Sequence, residues 1–148
     1  MILFRNANYV VIVSDTVSQA IMFLGAIKQI LCENEAVKKL FSLSADDKGT
    51  KFITETEDVI VGSFVDGHKF RIVAKGAEAS LRGMLWNGQR PDLVVCDDME
   101  NDELVMNKER REKLRRWFYS ALIPLMKPTG KLRIWGTILH NSSLLEGM

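Results

Sequence analysis

Short apolar runs separated by polar, helix-like segments predict alternating strands and helices. Tyr9–Ser14 is a continuous apolar run with three valines and an isoleucine, typical of a strand that is buried on both faces. Residues 93–96 and 132–135 are two further runs of this kind, so we expect both to be buried strands. Residues 59–64 and 68–74 are joined through Asp66-Gly67, which predicts a β-hairpin.

The helical segments have recognisable start signals. Thr16 and Gln19 have the spacing of a capping box, and the apolar residues from Val17 to Leu31 then follow at helical spacing. Residues 36–41 predict a short helix, and residues 44–50 an exposed polar loop. Asn107 can cap a helix that runs to about residue 121, with basic residues crowding its first half. The pattern predicts one α/β unit with a mostly parallel sheet, flanking helices and an inserted hairpin.

The composition of the chain argues against several classes of function. The chain has 148 residues, 47% of them apolar, and a net charge of +1, which argues against binding driven by bulk positive charge. Its two cysteines, Cys32 and Cys96, are far apart and suit a reducing compartment. No apolar run approaches the ~20 residues of a membrane span, and no signal peptide is visible. We therefore expect a soluble protein of the cytoplasm without a membrane partner.

The most informative motif is the acidic end of the 93–96 strand. Asp97 and Asp98 follow it directly, and ligands of open parallel sheets bind beyond the carboxyl ends of the strands. One carboxylate there can hold Mg²⁺, and a second can orient or deprotonate a water that attacks a γ-phosphate. The alternative is a plain strand exit whose acids cap the next turn.

A second motif, Gly136-Thr137, follows the 132–135 strand. One helix separates the two strands, which suits a right-handed crossover between parallel neighbours. Thr137 would then lie near Asp97 and Asp98, where its hydroxyl can sense a phosphate or the attacking water. The alternative is a strand that ends in a glycine turn.

A phosphate-binding loop is the expected companion of such a site, and the sequence lacks one. No GxxxxGK[ST] motif occurs, and the nearest approach, at residues 62–69, has His68 in place of lysine and lies in the hairpin. His68 and His140 are isolated, so no zinc site is predicted. The basic helix start is interrupted by Glu109 and Glu112 and is typical of a solvated face.

The ordered set of motifs resembles the large terminase subunit of tailed bacteriophages. Residues 11–20 (VIVSDTVSQA) look like the strand and helix that follow that family's phosphate loop. Residues 79–83 (ASLRG) and 90–101 (RPDLVVCDDMEN) look like its Arg-Gly loop and acidic strand. Trp117-Phe118, Pro124 and residues 134–140 (IWGTILH) look like its coupling segment. The resemblance covers nearly the whole chain.

The resemblance implies a RecA-like ATPase fold of the ASCE P-loop class and a motor that uses ATP and Mg²⁺ to pump double-stranded DNA into a prohead. It implies that Asp97 coordinates the metal, and that Asp98, where the family has Glu, is a metal ligand or the catalytic base, with Glu100 as the fallback base. Gly136 and Thr137 match the segment that links hydrolysis to DNA movement. Arg82 matches a residue that reads phosphate or a neighbouring subunit. Implied partners are double-stranded DNA, the portal protein and the small terminase subunit, within a bacterial host cell.

The same resemblance predicts what the chain lacks. The family's phosphate loop and its C-terminal nuclease domain have no counterpart here, so residues 1–148 are expected to be a partial ATPase domain, incomplete at its N-terminus. Such a fragment would bind ATP poorly and expose apolar surface, which favours self-association into a homo-oligomer. The competing hypothesis is a non-enzymatic prophage remnant or interaction module that keeps the sheet. A helicase ATPase domain fits Asp98-Met99-Glu100-Asn101 poorly.

Overall fold

The computed structural model describes residues 1–46, 49–139, 141, 143, 144 and 146, with only the backbone at residues 46, 49 and 50. The fold is α/β, as the sequence predicts. The strands are β1 (Tyr9–Ser14), β2 (Ala45–Asp46), β3 (Gly49–Thr50), β4 (Phe52–Glu55), β5 (Val59–Ser63), β6 (Lys69–Gly76), β7 (Leu93–Asp97) and β8 (Lys131–Trp135). The helices are α1 (Val17–Glu33), α2 (Glu35–Phe41), α3 (Asp102–Met106), α4 (Lys108–Trp117) and α5 (Ile123–Leu125), with a π-helical turn at Phe118–Leu122 between the last two.

Six strands form one mixed sheet in the order β4-β5-β6-β1-β7-β8. Strands β6, β1, β7 and β8 are mutually parallel, whereas β4 and β5 are antiparallel to their neighbours. The predicted hairpin is confirmed as β5 and β6. The predicted parallel pairing of the two later strands is confirmed as well, with Asp97 opposite Trp135 at their carboxyl ends.

Strand β1 lies at the centre of the parallel part, and all six of its residues are buried. Its alternate residues enter two different apolar clusters, one on each face of the sheet. Val10 and Ile12 pack towards α1 and α2, while Val11 and Val13 pack towards α3 to α5. A strand covered on both faces needs a continuous apolar sequence, which explains why this strand can be predicted from the sequence.

The two main helices start where their caps predict. The Thr16 hydroxyl accepts a hydrogen bond from the Gln19 amide at 3.2 Å at the start of α1. The Asn107 side chain accepts one from the Arg110 amide at 3.1 Å at the start of α4. Each cap satisfies an amide that the first helical turn leaves without a partner. Within the described residues, no helix is long and apolar enough to cross a bilayer.

Several elements depart from the sequence prediction. Strands β2, β3 and β4 and helix α3 are additional elements, and the predicted long helix from Asn107 passes into the π-helical turn after Trp117. Pro124 explains the turn, because proline has no N–H to donate and its ring crowds the carbonyl four residues earlier. The prediction of a polar loop at 44–50 is wrong where the structure describes it, because residues 45–46 and 49–50 pair as β2 and β3. Residues 47 and 48 and His140 lie outside the described residues.

The prediction that 132–135 is a buried strand is wrong. Strand β8 forms the edge of the sheet, and Lys131, Arg133 and Trp135 are exposed while Leu132 and Ile134 are only half-buried. Leu132 and Ile134 pack on the α4 face, so the strand is covered on one side. Four residues are too few for alternation to be distinguished from a buried run.

Candidate functional site

The carboxyl ends of the four parallel strands form one edge of the sheet, which carries the predicted site. Ser14, Gly76, Asp97 and Trp135 occupy corresponding positions there, because Ser14 pairs with both Gly76 and Asp97, and Asp97 with Trp135. The Ser14 hydroxyl, completely buried, donates to the Asp97 carbonyl at 2.9 Å. This bond ties the tip of β7 to the central strand.

Asp98 is held by its backbone in an unusual conformation. Its φ of 41° lies in the left-handed region, which costs most residues free energy but is tolerated by Asp and Asn. Its N–H donates to the Trp135 carbonyl at 3.1 Å, and its own carbonyl accepts from the Asp15 N–H at 3.2 Å. Asp98 therefore bridges the ends of β8 and β1, and its exposed side chain is left for solvent or a ligand.

The two adjacent carboxylates line different cavities. Asp97 lies on the α1 face of β7, at the end of an apolar groove of about 660 Å³. Asp98 lies with Glu100, Gly136 and Thr137 along a small cleft, whose inner wall includes Met99, Ile134, Trp135 and Leu144. The structure thus brings four of the predicted site residues together, with Asp98 rather than Asp97 facing Thr137.

The pKa of the Asp97 carboxyl also departs from that of an ordinary aspartate. Burial raises the pKa of its carboxyl, and the neighbouring charge of Asp98 raises it further. A raised pKa means that the fold favours the ionised form of Asp97 less than water does, and a nearby cation would lower this pKa again. On the opposite face, burial raises the pKa of the Cys96 thiol to about 12, which keeps this thiol protonated and unreactive.

Glu100 has a structural partner. Its two carboxylate oxygens accept hydrogen bonds from the Leu144 N–H at 2.8 and 2.9 Å, and the Leu144 side chain is buried in the α4-side core. Glu100 thereby anchors the segment around Leu144 against the cleft. A catalytic role for Glu100 would require this bond to be given up.

Asp15 is a further carboxylate at this edge that was not predicted from the sequence. The Asp15 carboxylate accepts a hydrogen bond from the side-chain NH₂ of Asn101 at 2.8 Å, while the side-chain oxygen of Asn101 caps α3 by accepting from the Leu104 N–H. The signal was present in the chain, because Asp15 directly follows a buried strand in the same way as Asp97 and Asp98. Its significance appears only when β1 and β7 are known to be neighbours.

Arg82 does not join the acidic edge. It is exposed and lines a separate cleft of about 250 Å³ with Gly83, Arg90, Ser120 and Pro124. None of the residues that line this cleft also lines the cleft of Asp98 and Thr137.

The donor set at the acidic edge suits a hydrated divalent cation. Mg²⁺ usually keeps several waters and takes one or two carboxylates from the protein, and Asp98 and the Thr137 hydroxyl offer that kind of oxygen. The cleft itself has a volume of about 10 Å³, which is room for about one water molecule. Within the described residues no group of three or more His, Cys, Asp and Glu side chains could hold a metal by itself. The cleft is therefore too small for a hydrated Mg²⁺, which could contact the exposed Asp98 and Thr137 only from their solvent side, and a triphosphate would need its cradle from elsewhere.

No protein-family model matches the chain, and no curated protein matches it.

Proposed function

We propose that the chain is part of a RecA-like ATPase domain, of the kind found in the large terminase subunit of tailed bacteriophages, whose motor hydrolyses ATP to move double-stranded DNA. The observation that carries the proposal is the meeting of Asp98 and Thr137 at the tips of adjacent parallel strands. In this proposal Asp98 holds Mg²⁺ through its water shell, and the neighbouring Asp97 carboxylate adds to the negative field. The Thr137 hydroxyl, at the end of the neighbouring strand, contacts the phosphate or the attacking water.

The proposal assigns only part of a catalytic centre to these residues. Binding of the β- and γ-phosphates depends on a glycine-rich loop with lysine, and the sequence has none. We therefore expect the chain alone to bind ATP weakly, with filter binding of labelled ATP as the measurement. Sub-micromolar affinity would contradict this expectation.

The coding sequence upstream of Met1 provides the decisive test. A glycine-rich loop that ends in Lys-Ser or Lys-Thr supports the motor, and the extended protein should then hydrolyse ATP. Asp98→Asn should lower kcat by about a hundredfold or more, since a metal-holding charge is lost. Thr137→Ala should also lower kcat, whereas the matched control Thr129→Ala, at an exposed threonine in the turn before β8, should leave kcat unchanged.

The second candidate is an interaction module that keeps the sheet without ATP turnover. The bond between Glu100 and Leu144 and the small volume of the cleft favour it, because both describe a packed edge. An upstream sequence without a phosphate loop, together with no hydrolysis by the extended protein, would support the module and refute the motor.

A further inference from the structure

The basic residues in the first half of α4 already have partners. Three of them form ion pairs and a fourth donates to a backbone carbonyl: Lys108 with Glu112, Arg110 with Glu103, Lys113 with Glu78, and Arg111 with Val105. Their charge is therefore largely balanced where it lies. By contrast, the exposed Arg82 and Arg116 have no ion pair among the described residues.

One of these unpaired arginines lies in a cleft on the α4 face of the sheet. Arg82 and Arg90, from the loop before β7, line this cleft of about 250 Å³ together with Ser120 of the π-helical turn. The buried side chains of Leu81 and Leu125 belong to its apolar floor. No acidic residue lines the cleft within the part of the chain that the structure describes.

The polar groups of the cleft are all hydrogen-bond donors or can act as donors. The Arg90 guanidinium donates to the Pro124 carbonyl through one nitrogen. A guanidinium has five N–H groups in a planar fork, so the remaining donors of Arg90 and those of Arg82 are free for a ligand. The Ser120 hydroxyl can add another. Two cationic forks and a hydroxyl without a carboxylate suit an oxyanion.

A shallow hollow of about 470 Å³ continues the cleft along α4. Ser120 lines both cavities, and Arg116 lines the hollow together with Arg115 and the half-exposed Tyr119 ring. Glu112 is the one acid among the described residues that line either cavity, and it already has a lysine partner. The donors therefore extend over two connected cavities, farther than a single small anion reaches.

We propose that this arginine surface, formed by Arg82, Arg90, Arg116 and Ser120, binds the phosphate backbone of a nucleic acid. Guanidinium forks match the oxygens of a phosphate, and every basic residue that lines the two cavities is an arginine. The connected cavities favour a chain of phosphates over an isolated one. The choice of double-stranded DNA as the ligand rests on the proposed function, whereas the oxyanion chemistry of the surface does not.

Three arginine contacts predict a definite dependence on salt. The logarithm of the binding constant for duplex DNA falls against the logarithm of the salt concentration by about 0.9 for each phosphate that the protein neutralises. Arg82, Arg90 and Arg116 therefore predict a slope of about −2.7. The net charge of the chain is only +1, so little attraction from the rest of the molecule is added. We expect a Kd of about 10–100 μM at about 50 mM salt.

Fluorescence anisotropy of a short labelled duplex, titrated with the full chain at several salt concentrations, measures the affinity and the slope. Arg82→Gln and Arg116→Gln should each weaken binding about threefold or more and reduce the size of the slope by about 0.9. Arg133→Gln is the matched control, because Arg133 is an exposed arginine on the α1 face without an ion pair among the described residues. It should leave both quantities unchanged. Circular dichroism verifies that each variant is folded.

The competing ligands are tested in the same assay. Absence of duplex binding up to about 1 mM chain, or an equal effect of all three variants, would overturn the proposal. Equal affinity for polyglutamate of the same charge would assign the surface to an acidic peptide instead. Displacement of the duplex by inorganic phosphate at matched ionic strength would assign the cleft to a free anion. Either result would overturn binding of a nucleic-acid backbone.

The outcome is separable from that of the proposed function, because duplex binding by the chain requires no ATP. If the extended protein hydrolyses ATP and the chain does not bind the duplex, the arginine surface is refuted and the motor is not. If the chain binds the duplex with the predicted slope and the extended protein does not hydrolyse ATP, the surface is supported and the motor is refuted.

Discussion

Asp98 combines a conformation that costs stability with a side chain that the fold leaves exposed. Its positive φ is imposed by two backbone hydrogen bonds, one to β8 and one to β1. Left-handed residues other than glycine are often retained at ligand sites, where the side chain has a use that offsets the strain. This combination distinguishes Asp98 from an acid that merely ends a strand.

The free-energy cost of the left-handed conformation at Asp98 can be measured. Asp98→Gly should stabilise the chain by about 1 kcal/mol, because glycine adopts this φ without strain. Urea unfolding gives the free energy, and Asp98→Asn, which keeps a side chain that tolerates the left-handed region, should change it by less. A loss of stability in the glycine variant would mean that the carboxylate holds the fold together and would remove this argument for a ligand role.

The raised pKa of Asp97 predicts a pH effect of definite sign. In the range above the ordinary value of 3.8 and below the folded value, the folded carboxyl keeps its proton while the unfolded one has lost it. Asp97 therefore makes the fold less stable as pH rises through that range. Asp97→Asn should stabilise the protein at pH 7 and have little effect below about pH 3.8. Urea unfolding across pH measures this, and destabilisation at pH 7 would show that the ionised carboxylate is favoured.

At the scale of the elements, a different aspartate fixes the starts of two parallel strands. Asp92, just before β7, accepts hydrogen bonds from the Asn8 and Tyr9 amides at 2.7 and 2.9 Å and pairs with Lys127. Although burial raises the pKa of Asp92, the Lys127 bond and the two amides outweigh it, and the pKa is lowered overall. The register of β1 against β7, and so the position of Ser14 beside Asp97, depends on this contact.

Asp92→Asn should destabilise the chain by about 1–2 kcal/mol at pH 7, because a charged acceptor of amide hydrogen bonds is replaced by a neutral one. The contribution of Asp92 is complete above its ordinary pKa and disappears as pH falls through the lower folded value. The difference from the parent chain should therefore shrink in acid, and its sign at pH 7 should be opposite to that of Asp97→Asn. An equal effect at every pH would show that packing, not charge, is responsible.

The strands and capped helices were largely predictable, whereas the relations among them were not. Residues 9–14 and 93–96 can be predicted from the sequence because burial on both faces favours an uninterrupted apolar run. Edge strands such as β8 lack that signal, and α3 is too short to show a helical period. For the whole molecule, the sequence predicted that Asp98 and Thr137 lie at one edge of the sheet. It did not predict that Asp97 lines a different groove, that Glu100 binds the Leu144 N–H, or that Arg82 lines a separate cleft. These positions depend on strand faces and loop paths, which local sequence patterns do not contain.

Cation binding at the β7–β8 edge is the most direct test of the proposed site. In an NMR titration of the chain with Mn²⁺ as a paramagnetic stand-in for Mg²⁺, we expect selective broadening of amide signals at residues 97–100 and 136–137. Asp98→Asn should abolish the broadening, and Glu57→Gln, at an exposed acid before β5, should not change it. Broadening centred elsewhere, or unchanged in Asp98→Asn, would contradict a cation site at Asp98 and Thr137.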